Sequence, residues 1–127
     1  MNDLAARENL YDKLVRLGLS RSWARRKVRM VRRLQEDMLK NLVYVVFQRK
    51  DGVVVRKLAT LNPAFLPEGK TTVMPRPDHP EQIIFWSVGD GGYRSFLAQN
   101  LLKTEQPESI EALVAERIKG RRNASGN

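Results

Sequence analysis

Residues 42–63 read Leu-Val-Tyr-Val-Val-Phe-Gln-Arg-Lys-Asp-Gly-Val-Val-Val-Arg-Lys-Leu-Ala-Thr-Leu-Asn-Pro. A β-branched and aromatic run from Leu42 through Phe47 leads into Lys50-Asp51-Gly52, and Asp-Gly suits a turn that needs a positive φ. Val53-Val54-Val55 opens a return strand that continues to Leu61, and Asn62-Pro63 ends it. The centre of the chain is therefore expected to be an antiparallel hairpin.

Reading toward the C-terminus, residues 62–82 hold five of the six prolines, which predicts a long loop with one short strand at Thr71–Met74. Ile83–Val88 reads as a strand, Gly89-Asp90-Gly91-Gly92 as a tight turn, Tyr93–Phe96 as its partner, and Leu101–Thr104 as a last short strand. Short strands separated by glycine turns suit a small, strongly bent antiparallel sheet or barrel. Pro107 fits the first turn of a helix, where its missing N–H costs nothing. Ile110, Leu113, Val114 and Ile118 form the apolar stripe of that helix, and Gly120 is its stop. Arg117 falls on the same face as the stripe, and Arg121 follows one turn later. Two guanidiniums at that step can fork around phosphate oxygens. The alternative is that their stems cover the core while their heads reach water.

Toward the N-terminus the period changes from two to 3.6. Leu4, Leu10, Tyr11, Leu14 and Leu17 predict an amphipathic helix over Asp3–Leu17, stopped at Gly18. Ser20 or Ser22 can cap a second helix to about Asn41, with Ala24, Val28, Val31, Met38 and Leu42 on one stripe, widened by Trp23, Met30 and Leu34. Arg16, Arg21, Arg25, Arg26, Lys27, Arg29, Arg32 and Arg33 lie in this region with no acidic residue among them, and most fall opposite the stripe. Such a run is either a solvated helix face or a surface for an anion. Two helices of this size bury too little alone, so their apolar side is expected to meet the rest of the chain or a second copy.

Composition narrows the function classes. The 127 residues carry 23 Lys+Arg against 14 Asp+Glu, a formal charge of +9, which points to an anionic partner. There is no cysteine, which excludes disulfides, a thiol nucleophile and Cys-based zinc sites. His79 is the one histidine, so a metal site built on two imidazoles is excluded. No apolar run approaches the ~20 residues of a bilayer-spanning helix, and the polar start Met1-Asn2-Asp3 does not read as a signal peptide. A cytoplasmic protein is expected, with no membrane role, no cofactor and no metal. Gly-x-Ser-x-Gly, a Walker loop and paired histidines are missing from the sequence, and Gly89–Gly92 lies between strands instead of opening a helix, so catalysis is not expected.

The strand region also carries a resemblance. Val45-Val46-Phe47, Lys50-Asp51-Gly52, Arg56-Lys57-Leu58-Ala59-Thr60-Leu61-Asn62-Pro63, Phe85-Trp86-Ser87-Val88 and Gly92-Tyr93-Arg94-Ser95-Phe96 with Asn100-Leu101-Leu102 occur in a fixed order. This order resembles the Sm-like SH3-barrel family related to WYL domains, common in phages and their hosts. Its pattern is a K-D-G hairpin, a T-L-N-P strand end and W-R-S-F before an asparagine; here Tyr93 replaces the usual Trp. Within that group the arrangement is similar to the phage anti-Thoeris family. The resemblance implies a protein that holds cyclic ADP-ribose isomers, and in some members cyclic oligonucleotides at a separate site, without cleaving them.

It further implies that the ligand meets Asn100, an aromatic among Phe85, Trp86, Tyr93 and Phe96, and the pair Arg117 and Arg121, with Arg56 at the second site. In physical terms the arginines would clamp a pyrophosphate, the aromatic would stack adenine, and the amide would read a base edge or a ribose hydroxyl. The expected architecture is α+β. It comprises a basic helical hairpin over residues 1–41 as an oligomerisation arm, a β-core over 42–105, a helix over 106–122 and a disordered tail over 123–127. A homo-oligomer is expected. The rival reading is a DNA- or RNA-binding regulator that uses the arginine-rich second helix.

Overall fold

The computed structural model describes residues 8–73 and 76–107. Helix α1 (Leu10–Arg16) and helix α2 (Arg21–Lys40) precede five strands: β1 (Val43–Gln48), β2 (Val54–Thr60), β3 (Gln82–Ser87), β4 (Gly92–Leu97) and β5 (Leu101–Glu105). The architecture is α+β, with helices first and an antiparallel sheet after them. The helix expected from Pro107 onward lies outside the described residues, and with it Arg117, Arg121 and the tail.

Each boundary has a local cause. Helix α1 begins at Leu10, where the Asn9 side chain accepts the Asp12 N–H at 2.8 Å and caps it, so Glu8 and Asn9 fall outside the expected helix, whose first residues, 3–7, lie outside the described residues. Ser20 caps α2 by accepting from the Trp23 N–H. The β1–β2 hairpin closes through the five residues 49–53, in which the Gly52 N–H donates to the Arg49 carbonyl at 2.9 Å and Gly52 takes φ +90°, the conformation its sequence position demanded. The expected short strand at Thr71–Met74 is absent over its described part, residues 71–73. That segment is tied down by side chains instead: the Thr72 hydroxyl donates to the Leu61 carbonyl at 2.7 Å, and the Tyr93 hydroxyl donates to the Thr71 carbonyl.

The strand order is β4-β3-β2-β1-β5, so the first and last strands of the core are neighbours. A flat sheet of five strands would hold β4 and β5 ~19 Å apart at the usual ~4.8 Å spacing. The chain instead passes from one edge to the other through a single 3₁₀ turn, Ala98–Asn100. Four Cα steps reach at most ~14 Å, so the sheet must curl until its edges approach each other. Two further features assist the curl. Strand β2 shares only Ala59 and Thr60 with β3 in register, and β5 carries an irregularity against β1 at Val46/Phe47, with Leu102 as the extra residue.

Helices and sheet share one core. Leu14, Ala24, Val28, Val31, Leu34 and Met38 pack with Val43, Val45, Phe47, Ile83, Phe85, Phe96 and Leu101. The apolar stripe of α2 is thus covered by the chain's own sheet, and the need for a partner surface that motivated an oligomerisation arm does not arise from it. Two residues depart from the expected pattern. Trp23, expected on the stripe, is 53% exposed at its flank, with the Arg26 guanidinium 5.4 Å from its ring centroid. Lys27, expected among the solvated cations, is buried and donates to the Leu101 carbonyl, tying α2 to the start of β5. Burial, reinforced by the nearby Arg26 charge, pushes its ammonium pKa down.

Candidate functional site

The two sequence blocks Thr60–Pro63 and Tyr93–Phe96 end up in different chemistry. Thr60 is buried, and its hydroxyl serves the carbonyls of Met38 at 3.2 Å and Asn41 at 2.9 Å while accepting the Asn62 N–H at 3.0 Å. The Asn62 amide donates to the Lys40 carbonyl at 2.8 Å, and the Leu61 N–H donates to the Met38 carbonyl at 2.9 Å. The block therefore satisfies the carbonyls at the C-terminal end of α2, which have no partner within the helix. Its role is structural.

The second block borders a cleft. Where the curled edges converge, Gln48, Arg49 and Lys50 from the end of β1 face Gln82, Ser95, Phe96, Leu97 and Asn100 across a cavity of about 270 Å³. Phe47 and Phe96 form its apolar floor, stacked at 4.7 Å between centroids and 15° between planes. Polar atoms ring the floor. Gln82 approaches the Ser95 hydroxyl at 3.5 Å, Gln48 donates to the Gly52 carbonyl at 3.1 Å, and Arg49 is paired with Asp51 at 2.7 Å. Among the described residues, the Asn100 amide has no hydrogen-bond partner and the Lys50 ammonium has no carboxylate partner. A site with two unengaged polar heads, one neutral and one cationic, over an aromatic floor can seat a planar ring bearing an anionic group.

The structure separates the expected aromatics. Phe96 and Asn100 share the cleft. Phe85 does not face a ligand: it is fully buried, in edge contact with Phe47 at 6.2 Å, because its position on β3 points into the shared core. Trp86 is 5% exposed and packs edge-on against Tyr93 at 5.0 Å, so its face is not available for stacking either. Tyr93 is anchored by its hydroxyl to the Thr71 carbonyl. Arg56 lies elsewhere, across the Tyr44 ring at 3.5 Å and paired with Glu105 at 2.9 Å. Hydrogen bonding to Arg56 holds the Glu105 carboxyl below its ordinary pKa. Gln48, Arg49 and Lys50 were missed by sequence reading because nothing local marks the end of β1 as a neighbour of residue 100.

Two further features bear on function. A second cavity of about 460 Å³ lies between the start of α1, α2 and the proline loop, lined by Leu10, Val31, Arg32, Pro77 and Pro80. In the β3–β4 turn, burial raises the Asp90 pKa, but the Ser87 hydroxyl, the Lys57 ammonium at 2.9 Å and Arg94 at 3.7 Å outweigh it and hold the carboxyl below its ordinary range. No group of three or more potential metal ligands occurs among the described residues, and no described helix is long and apolar enough to cross a membrane.

With β5 beside β1, the edges joined by a 3₁₀ turn, and the two blocks in place, the comparison with known families becomes informative. The family model WYL_2, described as a Sm-like SH3 β-barrel fold, matches residues 31–102. The chain belongs to the WYL_2 family. The match begins inside α2 and ends at Leu102, so it includes both the helix end that Thr60 and Asn62 satisfy and the turn that carries Asn100. No curated protein and no solved structure matches the chain.

Proposed function

We propose that this WYL_2 protein holds a nucleotide signal in the cleft at the seam of its sheet without cleaving it, acting as an anti-defence sponge for cyclic ADP-ribose-type molecules. The observation that carries the reading is that the Asn100 amide and the Lys50 ammonium, unengaged among the described residues, stand over the Phe47–Phe96 floor. The cleft's size suits one end of such a ligand, a base or a ribose with its phosphate, not the whole molecule. Arg117 and Arg121, outside the described residues, are assigned the remaining diphosphate on the strength of the sequence resemblance. Holding is favoured over turnover because the lining supplies amides, a hydroxyl and cations, and Ser95 has no base beside it in that lining.

The test is calorimetry of the full chain with cyclic ADP-ribose isomers and cyclic oligonucleotides. The expected result is saturable heat with at least one of them and release of the unaltered ligand on heating. Absence of heat with every one of these ligands rejects the sponge reading, and a cleaved product rejects simple holding. Arg117→Ala and Arg121→Ala should weaken binding with unchanged unfolding; unchanged affinity would assign those arginines to solvent.

A further inference from the structure

Helix α2 presents a basic face that the cleft does not use. Arg21, Arg25, Arg26, Arg29, Arg32 and Arg33 are all exposed, and at about 100° per residue they fall within an arc of about 140°. Among the described residues, none of the six lies within salt-bridging distance of a carboxylate. Six like charges at this density repel each other, and the nearest carboxylates along the helix, Glu36 and Asp37, stand one turn beyond Arg32 and Arg33 without closing an ion pair. Ala24, Val28, Val31 and Leu34 hold the opposite side in the core, and Lys27 ties the same helix to β5. The helix backbone that carries the arginines is therefore fixed before any ligand arrives, which leaves only their side chains to be ordered on binding.

We infer that this face docks on the phosphate backbone of duplex DNA. The arginines from Arg21 to Arg33 span ~18 Å along the helix axis, enough to cross a major groove ~12 Å wide and reach the phosphates on both sides. An A-form duplex offers a major groove too narrow for a helix. A membrane surface fits less well, because the apolar side of α2 that would enter the lipid is already buried. Between Arg21 and Arg33 no Asn or Gln accompanies the arginines, so contacts to the backbone prevail and binding is independent of sequence. Trp23, half-exposed beside Arg26, adds an aromatic at the flank.

The inference is independent of the nucleotide reading, and the test separates the two. Fluorescence anisotropy of the full chain with unrelated 20-base-pair DNA duplexes should give similar affinities for each. Affinity should fall ~10³-fold between 50 and 200 mM salt if about six phosphates are neutralised. The triple variant Arg25→Gln/Arg29→Gln/Arg32→Gln should reduce the salt slope by about three units and abolish most binding, with an unchanged circular-dichroism spectrum and unchanged nucleotide heat. Lys50→Gln should leave duplex affinity as it is. The inference is overturned by no duplex binding at 50 mM salt, by full binding in the triple variant, by tighter binding to RNA duplex, or by binding to anionic vesicles in place of DNA.

Discussion

The Thr60–Pro63 block and the Ser95–Asn100 segment are equally conspicuous in the sequence, yet they occupy opposite ends of a structural scale. In the first, the polar side chains of Thr60 and Asn62 are committed to backbone groups at the end of α2 or in the adjoining turn. In the second, the Asn100 amide has no partner among the described residues and stands beside a cleft, with Phe96 beneath it. A polar residue whose hydrogen bonds are all internal stabilises a fold, whereas one left unpaired at a concave surface is available to a ligand. The contrast predicts which substitutions unfold the protein and which only empty it.

The substitution that blurs the contrast has the largest effect. Phe96 is 6% exposed, belongs to the shared core and floors the cleft, so Phe96→Ala should destabilise by ~3–5 kcal/mol and abolish ligand binding together. Urea unfolding with parallel calorimetry would show both losses; loss of one alone would separate core from floor. Thr60→Val comes next, because it keeps the shape and deletes a hydroxyl that serves two carbonyls and one N–H. Its expected cost is ~1–3 kcal/mol in urea unfolding, with unchanged ligand affinity in the variant that remains folded. Asn62→Ala removes the bond to the Lys40 carbonyl and the one to the Ala64 N–H, and should cost about 1 kcal/mol.

Asn100→Ala should reverse the pattern. Stability should stay within about 0.5 kcal/mol of the parent, while nucleotide affinity falls roughly 10-fold, the value of ~1.4 kcal/mol. A marked loss of stability would move Asn100 to the structural side of the comparison. The smallest effect is on the turn that feeds β4. Asp90 has its folded pKa lowered by Ser87, Lys57 and Arg94 acting against burial. Its stabilisation is thus complete above the ordinary Asp pKa of about 3.9, and is lost as pH falls through the lower folded value. Acid titration of the urea midpoint should be less steep in Asp90→Asn than in the parent.

Much of the fold was legible because local rules and tertiary packing agree. The Asp51-Gly52 turn, the stripe of Ala24, Val28, Val31 and Met38, and the arginine side of α2 follow from chain chirality and periodicity alone. Apart from the start of α1, which a local Asn9 cap sets, the main discrepancies share one cause, which is that burial depends on neighbours distant in sequence. Trp23 reads as apolar and is therefore placed on the stripe, yet α2 meets the sheet along a narrower arc. Lys27 reads as solvated, yet the Leu101 carbonyl, 74 residues away, holds it inside. Phe85, Trp86 and Tyr93 all read as stacking candidates, and only register on the strands tells which faces belong to the core.

The amino-acid order by itself determined the two described helices, the five strands, the turns, the positive charge and the two motif blocks, since these depend on φ preferences, side-chain period and composition. It also predicted a sixth strand at Thr71–Met74 that is absent over its described part. Tertiary structure alone decided that β5 returns to β1, that Gln48, Arg49 and Lys50 meet Asn100 at one cleft, and that Thr60 and Asn62 close a helix. Those outcomes require surfaces far apart in the chain to bury each other, and the free energy of that burial is a property of the assembled core, not of any window of residues.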